Sequence, residues 1–202
     1  MKKSIILASG SPRRKELLSQ IGLDFRVVTS NAEETTDKNA PEEMVLELSK
    51  KKAEAVAGLN AAVQGCAAAA FGDDDKYVII GADTIVYADG KVLGKPKDRD
   101  DAFLMLKRLS GKSHSVFTGV TLICGKESIS FYEETKVFVY DMTDDEIWSY
   151  IDTGEPMDKA GAYGIQGAFA AFVSGIEGDY NSVVGLPVGR VYQEMRKAGY
   201  IE

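Results

Sequence analysis

Ile5-Ile6-Leu7-Ala8-Ser9-Gly10-Ser11-Pro12-Arg13-Arg14-Lys15-Glu16-Leu17-Leu18-Ser19-Gln20-Ile21-Gly22 is the stretch whose reading decides the fold. Residues 5–8 read as a buried strand, and Ser9-Gly10-Ser11-Pro12 as a turn into a helix. Ser11 suits the N-cap and Pro12 the first helical position, where its missing N–H costs nothing. Leu17, Leu18 and Ile21 supply an apolar face, and Gly22 stops the helix. A strand that feeds directly into a helix is the repeating unit of α/β proteins, and the rest of the chain keeps the alternation. Residues 25–29 predict a second strand, and Pro41 opens a helix to about residue 59. Residues 77–80 and 85–87 predict strands, and Asp89-Gly90 marks a hairpin. Asp98 caps a helix through Leu109, which Gly111 ends; residues 115–124 and 129–140 predict long paired strands. Thr143 caps a helix through Ile151, a glycine-rich segment follows, and a last helix is expected over 182–198. Residues 60–76, with an alanine run and an acidic turn, read as an inserted loop without chemistry.

The composition narrows the function classes. With 45% hydrophobic and 27% charged residues over 202 positions, the chain can bury a full core. Its 24 basic and 31 acidic residues leave a net charge of -7. That balance argues against a general nucleic-acid or membrane-surface binder, so an anionic ligand must be met by a few concentrated cations. Cys66 and Cys124 stand alone, without a zinc-ligand spacing or a disulfide framework. The apolar run after Lys2-Lys3 is too short for a signal-peptide core, and no membrane-spanning stretch is expected.

Three sets of residues sit where folding alone would not put them. Arg13 and Arg14 occupy the first turn of a helix, where the macrodipole disfavours a cation by about 0.3–1 kcal/mol. Free helix N–H groups plus two guanidinium forks make a phosphate site; snorkelling into water is the equally weighted alternative. Lys52 falls near the centre of an apolar helical stripe with Val45, Leu48, Val56 and Leu59. A lysine there needs an anionic partner, either a buried carboxylate or a ligand phosphate, and the second reading is favoured. Asp83 lies within the apolar run Val78-Ile79-Ile80-Gly81-Ala82-Asp83-Thr84-Ile85-Val86. It is either a turn aspartate between two strands or a group that orients water or binds Mg²⁺, and the company of Arg13, Arg14 and Lys52 favours the latter.

Other motifs carry less. Glu33-Glu34 alone reads as an exposed acidic run, and Gly94-Lys95-Pro96 lacks Walker spacing. The segment from Gly154 to Gly167 can bring backbone close to a ligand while Gln166 reads a base edge. His114, the one histidine, is expected on a strand face in a structural or surface role, so a Ser-His-Asp or Cys-His hydrolase is not supported.

Taken in order, Leu7-Ala8-Ser9-Gly10-Ser11-Pro12-Arg13-Arg14, Gly81-Ala82-Asp83-Thr84, Gly94-Lys95-Pro96, Asp158-Lys159-Ala160-Gly161-Ala162-Tyr163-Gly164-Ile165-Gln166-Gly167 and Gly185-Leu186-Pro187 resemble the signature blocks of Maf nucleotide pyrophosphatases. The resemblance covers the chain except the 60–76 insertion and implies one Maf-like, ITPase-like domain over residues 1–202. It implies an α/β fold with a mixed central sheet, helices on both sides and a deep nucleotide-binding cleft between two lobes. It implies a cytoplasmic homodimer that cleaves nucleoside triphosphates between the α and β phosphates with Mg²⁺ or Mn²⁺. By the same resemblance Asp83 is the general base and, with Glu34, holds the metal. Arg13, Thr84 and Gln166 set substrate choice, Ser9, Ser11, Arg14, Lys52, Lys95 and Lys159 line the phosphate region, and of these Lys52 and Lys95 are catalytic with Asp83, neutralising charge as pyrophosphate leaves.

One family branch acts on dTTP, UTP and modified pyrimidine nucleotides, a housecleaning role. Another prefers 7-methyl-GTP and carries a tryptophan between the proline and the arginine pair. Here Pro12 runs directly into Arg13, and Trp148 lies elsewhere, so the resemblance points to the first branch. Two alternatives stand beside it: 7-methyl-GTP pyrophosphatase, and a nucleotide-binding regulator of septum formation.

Overall fold

The computed structural model describes residues 3–29, 31, 35–58 and 75–202. Glu34, with Glu33, and most of the 60–76 insertion lie outside the described residues.

The opening stretch folds as its sequence dictates. β1 (Ser4–Leu7) leads through Ser9–Ser11 into α1 (Pro12–Gln20), which buries Leu17 and Leu18. Ser11 takes the N-cap position, but its side chain makes no capping bond. β2 (Phe25–Val27) follows and pairs parallel with β1. α2 (Pro41–Ala57) is a long helix that Pro41 starts and Gly58 caps. β3 (Tyr77–Ala88) pairs parallel with β1 in the register Ile5 to Val78, Ile6 to Ile79 and Leu7 to Ile80. Ile5, Ile6 and Leu7 are buried on both faces of their strand, as parallel pairing requires.

β3 is one strand where two were expected. Residues 77–88 run without interruption, so Asp83 is a mid-strand residue and the turn reading is wrong. Burial of the neighbouring residues favoured continuous pairing over a break at Gly81. Asp89-Gly90, both with positive φ, turn the chain into β4 (Lys91–Leu93), antiparallel to β3 with Ala88 opposite Lys91.

Asp98 caps α3 (Arg99–Leu109) by accepting the Asp101 amide. β5 (Ser113–Cys124) and β6 (Glu127–Val139) are neighbours in the sheet. α4 (Asp144–Asp152) starts with a complete Thr143/Glu146 capping box. The glycine-rich segment forms three short 3-10 turns, Glu155–Asp158, Ala160–Ala162 and Ala168–Phe172. β7 (Val173–Glu177), absent from the sequence expectation, then pairs antiparallel with β6. The expected last helix is two: α5 (Tyr180–Val184) and α6 (Val188–Lys197). Gly185, at positive φ, and Pro187 break it, since proline cannot supply the helical N–H.

The sheet is mixed and seven-stranded, in the order β2-β1-β3-β5-β6-β7, with β4 on β3. The described residues divide into two compact units. The first comprises Met1–Asp83, Thr118–Tyr132 and Gly185–Glu202; the second comprises Thr84–Phe117 and Glu133–Val184. In the first unit Ile6, Ala8, Ala53, Val56, Ile79 and Ile123 form a core cluster joining α2 to the sheet. Gly81 makes that approach possible: a Cβ there would lie 2.3 Å from the Ser49 carbonyl and 2.8 Å from the Ala53 nitrogen. In the second unit Tyr150, Tyr163 and Phe169 pack their rings together, with centroids 4.6 Å apart for Tyr163–Phe169 and 5.3 Å for Tyr150–Phe169. Among the described residues no helix is long and apolar enough to cross a membrane.

Candidate active site

The first unit holds Ser9, Ser11, Arg13, Arg14, Lys52 and Asp83. Strand alternation puts Gly81 and Asp83 on one face of β3, and Gly81 is the residue that abuts α2. Lys52 on α2 therefore reaches Asp83: its Nζ donates to Asp83 Oδ1 at 2.6 Å. The two side chains retain 16% and 12% exposure, so the pair is largely desolvated without being sealed. Asp83 is thus a buried carboxylate partner of Lys52. Lys50 and Lys51 behave as solvated lysines, paired with Glu54 and Glu47 one helical turn away.

The arginine pair splits. Arg13 is half-buried, whereas Arg14 is buried beside Leu17 and Leu18. Arg14 Nε donates to the Gly185 carbonyl at 2.8 Å and Nη1 to Ser9 Oγ at 3.1 Å. Snorkelling is excluded for Arg14, and its guanidinium fixes the Ser9 hydroxyl. Ser9 Oγ also accepts the Ser11 amide at 3.3 Å, so the turn before α1 is held from within. The motif Gly185-Leu186-Pro187 supplies the acceptor for Arg14 and the break before α6.

The second unit holds Thr84, Lys95, Lys159 and Gln166. Thr84 follows Asp83 on β3 and faces the opposite side of the sheet. Lys95 is exposed just beyond β4, and the Gly94 carbonyl accepts the Gly161 amide at 3.0 Å, which joins two of the sequence blocks. Lys159 Nζ is tied to its own segment, donating to the Glu155 carbonyl and to Asp158 Oδ1, both at 2.7 Å. Gln166 is exposed. His114 is buried, with Nε2 2.7 Å from the Tyr163 hydroxyl, and burial lowers its pKa to about 4. Its role is structural.

Sequence reasoning missed Tyr150 and Glu155. Tyr150 donates its hydroxyl to Glu155 Oε1 at 2.8 Å, and Glu155 Oε2 accepts the Ala168 amide at 3.0 Å. The signal available was the pair of glycines around Gln166, since a Cβ on Gly167 would fall about 2.1 Å from Glu155 Oε1.

For a divalent cation the donor chemistry fits in part. Asp83 offers a hard, partly buried carboxylate oxygen, the ligand type that Mg²⁺ and Mn²⁺ prefer. Among the described residues no group of three or more His, Cys, Asp or Glu gathers. A cation there would need further oxygens, such as those of a bound phosphate, as Mg²⁺ commonly does.

The site thus sets two arginines in the first turn of α1 beside an α/β sheet that carries an ammonium–carboxylate pair between α2 and β3. The chain belongs to the Maf family: the family model "Maf-like protein" matches residues 4–198. A dTTP/UTP pyrophosphatase of Agathobacter rectalis is 52% identical, over 96% of this chain and 97% of that one. The dTTP/UTP pyrophosphatase of Carboxydothermus hydrogenoformans is 51% identical, over 97% and 99%. Among solved structures, a HAM1 protein from Coxiella burnetii is a distant likeness at 13% identity and a TM-score of 0.44, covering 81% of this chain and 88% of that one.

Proposed function

We propose that this protein hydrolyses dTTP and UTP to the nucleoside monophosphate and pyrophosphate in the cytoplasm, with modified pyrimidine nucleotides as further substrates. The observation that carries the reading is the Lys52–Asp83 pair, held at 2.6 Å by α2 and β3 in a chain about half identical to dTTP/UTP pyrophosphatases along its length.

Asp83 accepts a proton from the water that attacks the α-phosphorus. The new P–O bond forms as the α–β bridging bond breaks and pyrophosphate leaves. Lys52 holds Asp83 Oδ1 in place and supplies positive charge beside it. Ser9, fixed by Arg14, and Ser11 bind phosphate oxygens at the start of α1, where helix N–H groups face outward. Arg13, Lys95 and Lys159 bring further positive charge to the triphosphate. Asp83 and Glu34 would hold a Mg²⁺ or Mn²⁺ ion. When bound, the ion neutralises phosphate charge and lowers the pKa of water. Arg13, Thr84 and Gln166 choose the substrate, with Gln166 meeting the base edge. The one domain works as a homodimer.

The test is pyrophosphate release with Mg²⁺ or Mn²⁺ from dTTP, UTP, CTP, 7-methyl-GTP, ATP and GTP. Turnover of dTTP and UTP above the others supports the proposal. Selective turnover of 7-methyl-GTP overturns the substrate, and binding without turnover on any nucleotide overturns the reaction.

A further inference from the structure

α2 lies against the sheet over two glycines. A Cβ on Gly119 of β5 would fall 2.3 Å from the Val45 carbonyl, as one on Gly81 of β3 would from the Ser49 carbonyl. β3 and β5 are neighbours, so Val45 and Ser49, one helical turn apart, meet backbone on adjacent strands. Such contacts bring a helix close, but dispersion has no preferred direction and does little to stop the helix sliding.

A directional bond stands beside them. Strand alternation puts Thr121 on the face of β5 that carries Gly119. Ser49 Oγ donates to the Leu46 carbonyl at 2.9 Å and lies 3.0 Å from Thr121 Oγ1. A hydroxyl has one proton, and that of Ser49 is engaged, so Thr121 donates to Ser49. Thr121 Oγ1 lies 3.0 Å from Ser130 Oγ, which by the same count donates to it. The three hydroxyls form one directed chain from β6 through β5 to α2, and Ser49 and Thr121 are fully buried. Ser49 and Lys52 are neighbours on the helix surface, so a shift of α2 at Ser49 reaches Lys52. The Lys52–Asp83 bond cannot by itself hold α2 through a reaction in which Asp83 changes partners. The hydroxyl chain includes no reacting group.

We propose that Thr121 is a positioning residue: its bond to Ser49 sets where α2 lies along the sheet and so keeps Lys52 on Asp83. The catalytic consequence rests on the reaction proposed above; the placement of Lys52 rests on geometry alone. Buried between helix and sheet, Thr121 itself touches no substrate. Valine has the shape of threonine, but its methyl cannot approach Ser49 Oγ closer than about 3.5 Å, so α2 must give by about 0.5 Å.

The experiment determines crystal structures of the wild type, T121V, T121S and S49A, and measures kcat and KM on dTTP and UTP, with Tm from thermal melts. In T121V the Lys52 Nζ–Asp83 Oδ1 distance should open beyond about 3.2 Å. kcat should fall roughly tenfold on both nucleotides, with KM changed by less than about twofold. T121S keeps the hydroxyl and should restore the distance and the rate, whereas S49A deletes the acceptor and should repeat the loss. Destabilisation alone would lower Tm and leave both the pair and kcat as they are in the wild type. A folded T121V with the pair at its wild-type distance, or with wild-type kcat, overturns the inference, as does a T121S no better than T121V. If T121V fails to fold, S49A decides by the same two readings. A wild type that hydrolyses neither nucleotide sinks the proposed reaction, and the pair distance in T121V then decides the positioning claim alone.

Discussion

The Lys52–Asp83 pair and the Gln166 turn are built in opposite ways. Lys52 and Asp83 stand on a helix and a strand whose backbone bonds are internal, and their meeting follows from helix register, strand alternation and the missing Cβ of Gly81. Gln166 stands on irregular backbone, and its position follows from side chains that bond to that backbone. A group that must take a proton benefits from the stiffer mounting, because misplacement by about 1 Å can cost on the order of 10²-fold in rate. A group that reads the substrate can sit on a loop, provided something fixes the loop. Substitutions in the pair should accordingly change the rate for every nucleotide, and substitutions at the turn should change the choice among them.

The sharpest way to break that division is Asp83→Asn. Asparagine keeps an acceptor for Lys52 but cannot take the proton, so turnover should fall by about 10³-fold or more on every nucleotide while the protein stays folded. Pyrophosphate release and circular dichroism check both halves. A folded variant keeping more than about a tenth of the wild-type rate would remove Asp83 from the chemistry.

His114 is buried against Tyr163, and its pKa falls from 6.5 to about 4. The unfolded chain takes up this proton below about pH 6.5, whereas the folded one refuses it until about pH 4. Stability is therefore fully present above pH 6.5 and is lost as pH falls through that window, by about 3 kcal/mol from this residue alone. Thermal melts at pH 7 and pH 4.5 should show a larger drop in Tm for the wild type than for His114→Gln, which does not titrate. Equal drops would mean that His114 is solvated.

How much of this was legible differs between the two regions for the same reason that their construction differs. Lys52 announced itself because helical periodicity is local, and Asp83 because a carboxylate in an apolar strand is conspicuous. Their direct pairing was only one of two readings, since nothing local relates positions 31 residues apart. Arg14 was equally balanced between two roles until the Gly185 carbonyl appeared, 171 residues away. Glu155 looked like any charged loop residue, because its partners are the Tyr150 hydroxyl behind it and the Ala168 amide ahead of it, which no local pattern brings together. The break at Gly185-Leu186-Pro187 was there to be read, but the apolar period on both sides outweighed it. β7 was missed because a five-residue strand containing Gly175 has little pattern of its own.

On the stiffer side of the comparison, Gly81→Ala tests whether the close approach of α2 is what aligns the pair. The new Cβ would meet the Ser49 carbonyl and the Ala53 backbone, which cannot rotate aside as a side chain would. Overpacking of this kind should cost about 2 kcal/mol and lower Tm by roughly 5 °C. Because α2 has to move and Lys52 moves with it, kcat should fall on all nucleotides together. A stable variant with normal kcat would show that the pair tolerates slack.

The smallest effect belongs to Gln166→Ala. Its side chain is exposed and holds no part of the fold, so Tm should stay within about 1 °C of the wild type. If Gln166 meets the base as proposed, removing its amide deletes that contact and leaves the proposed phosphate contacts intact. kcat/KM for dTTP and UTP should drop about tenfold, mostly in KM, with CTP less affected. The decisive quantity is how the loss is distributed. If Gln166→Ala instead lowers kcat equally on dTTP, UTP and CTP, the turn takes part in the chemistry, and the division between a rigid catalytic pair and a tethered reading loop fails.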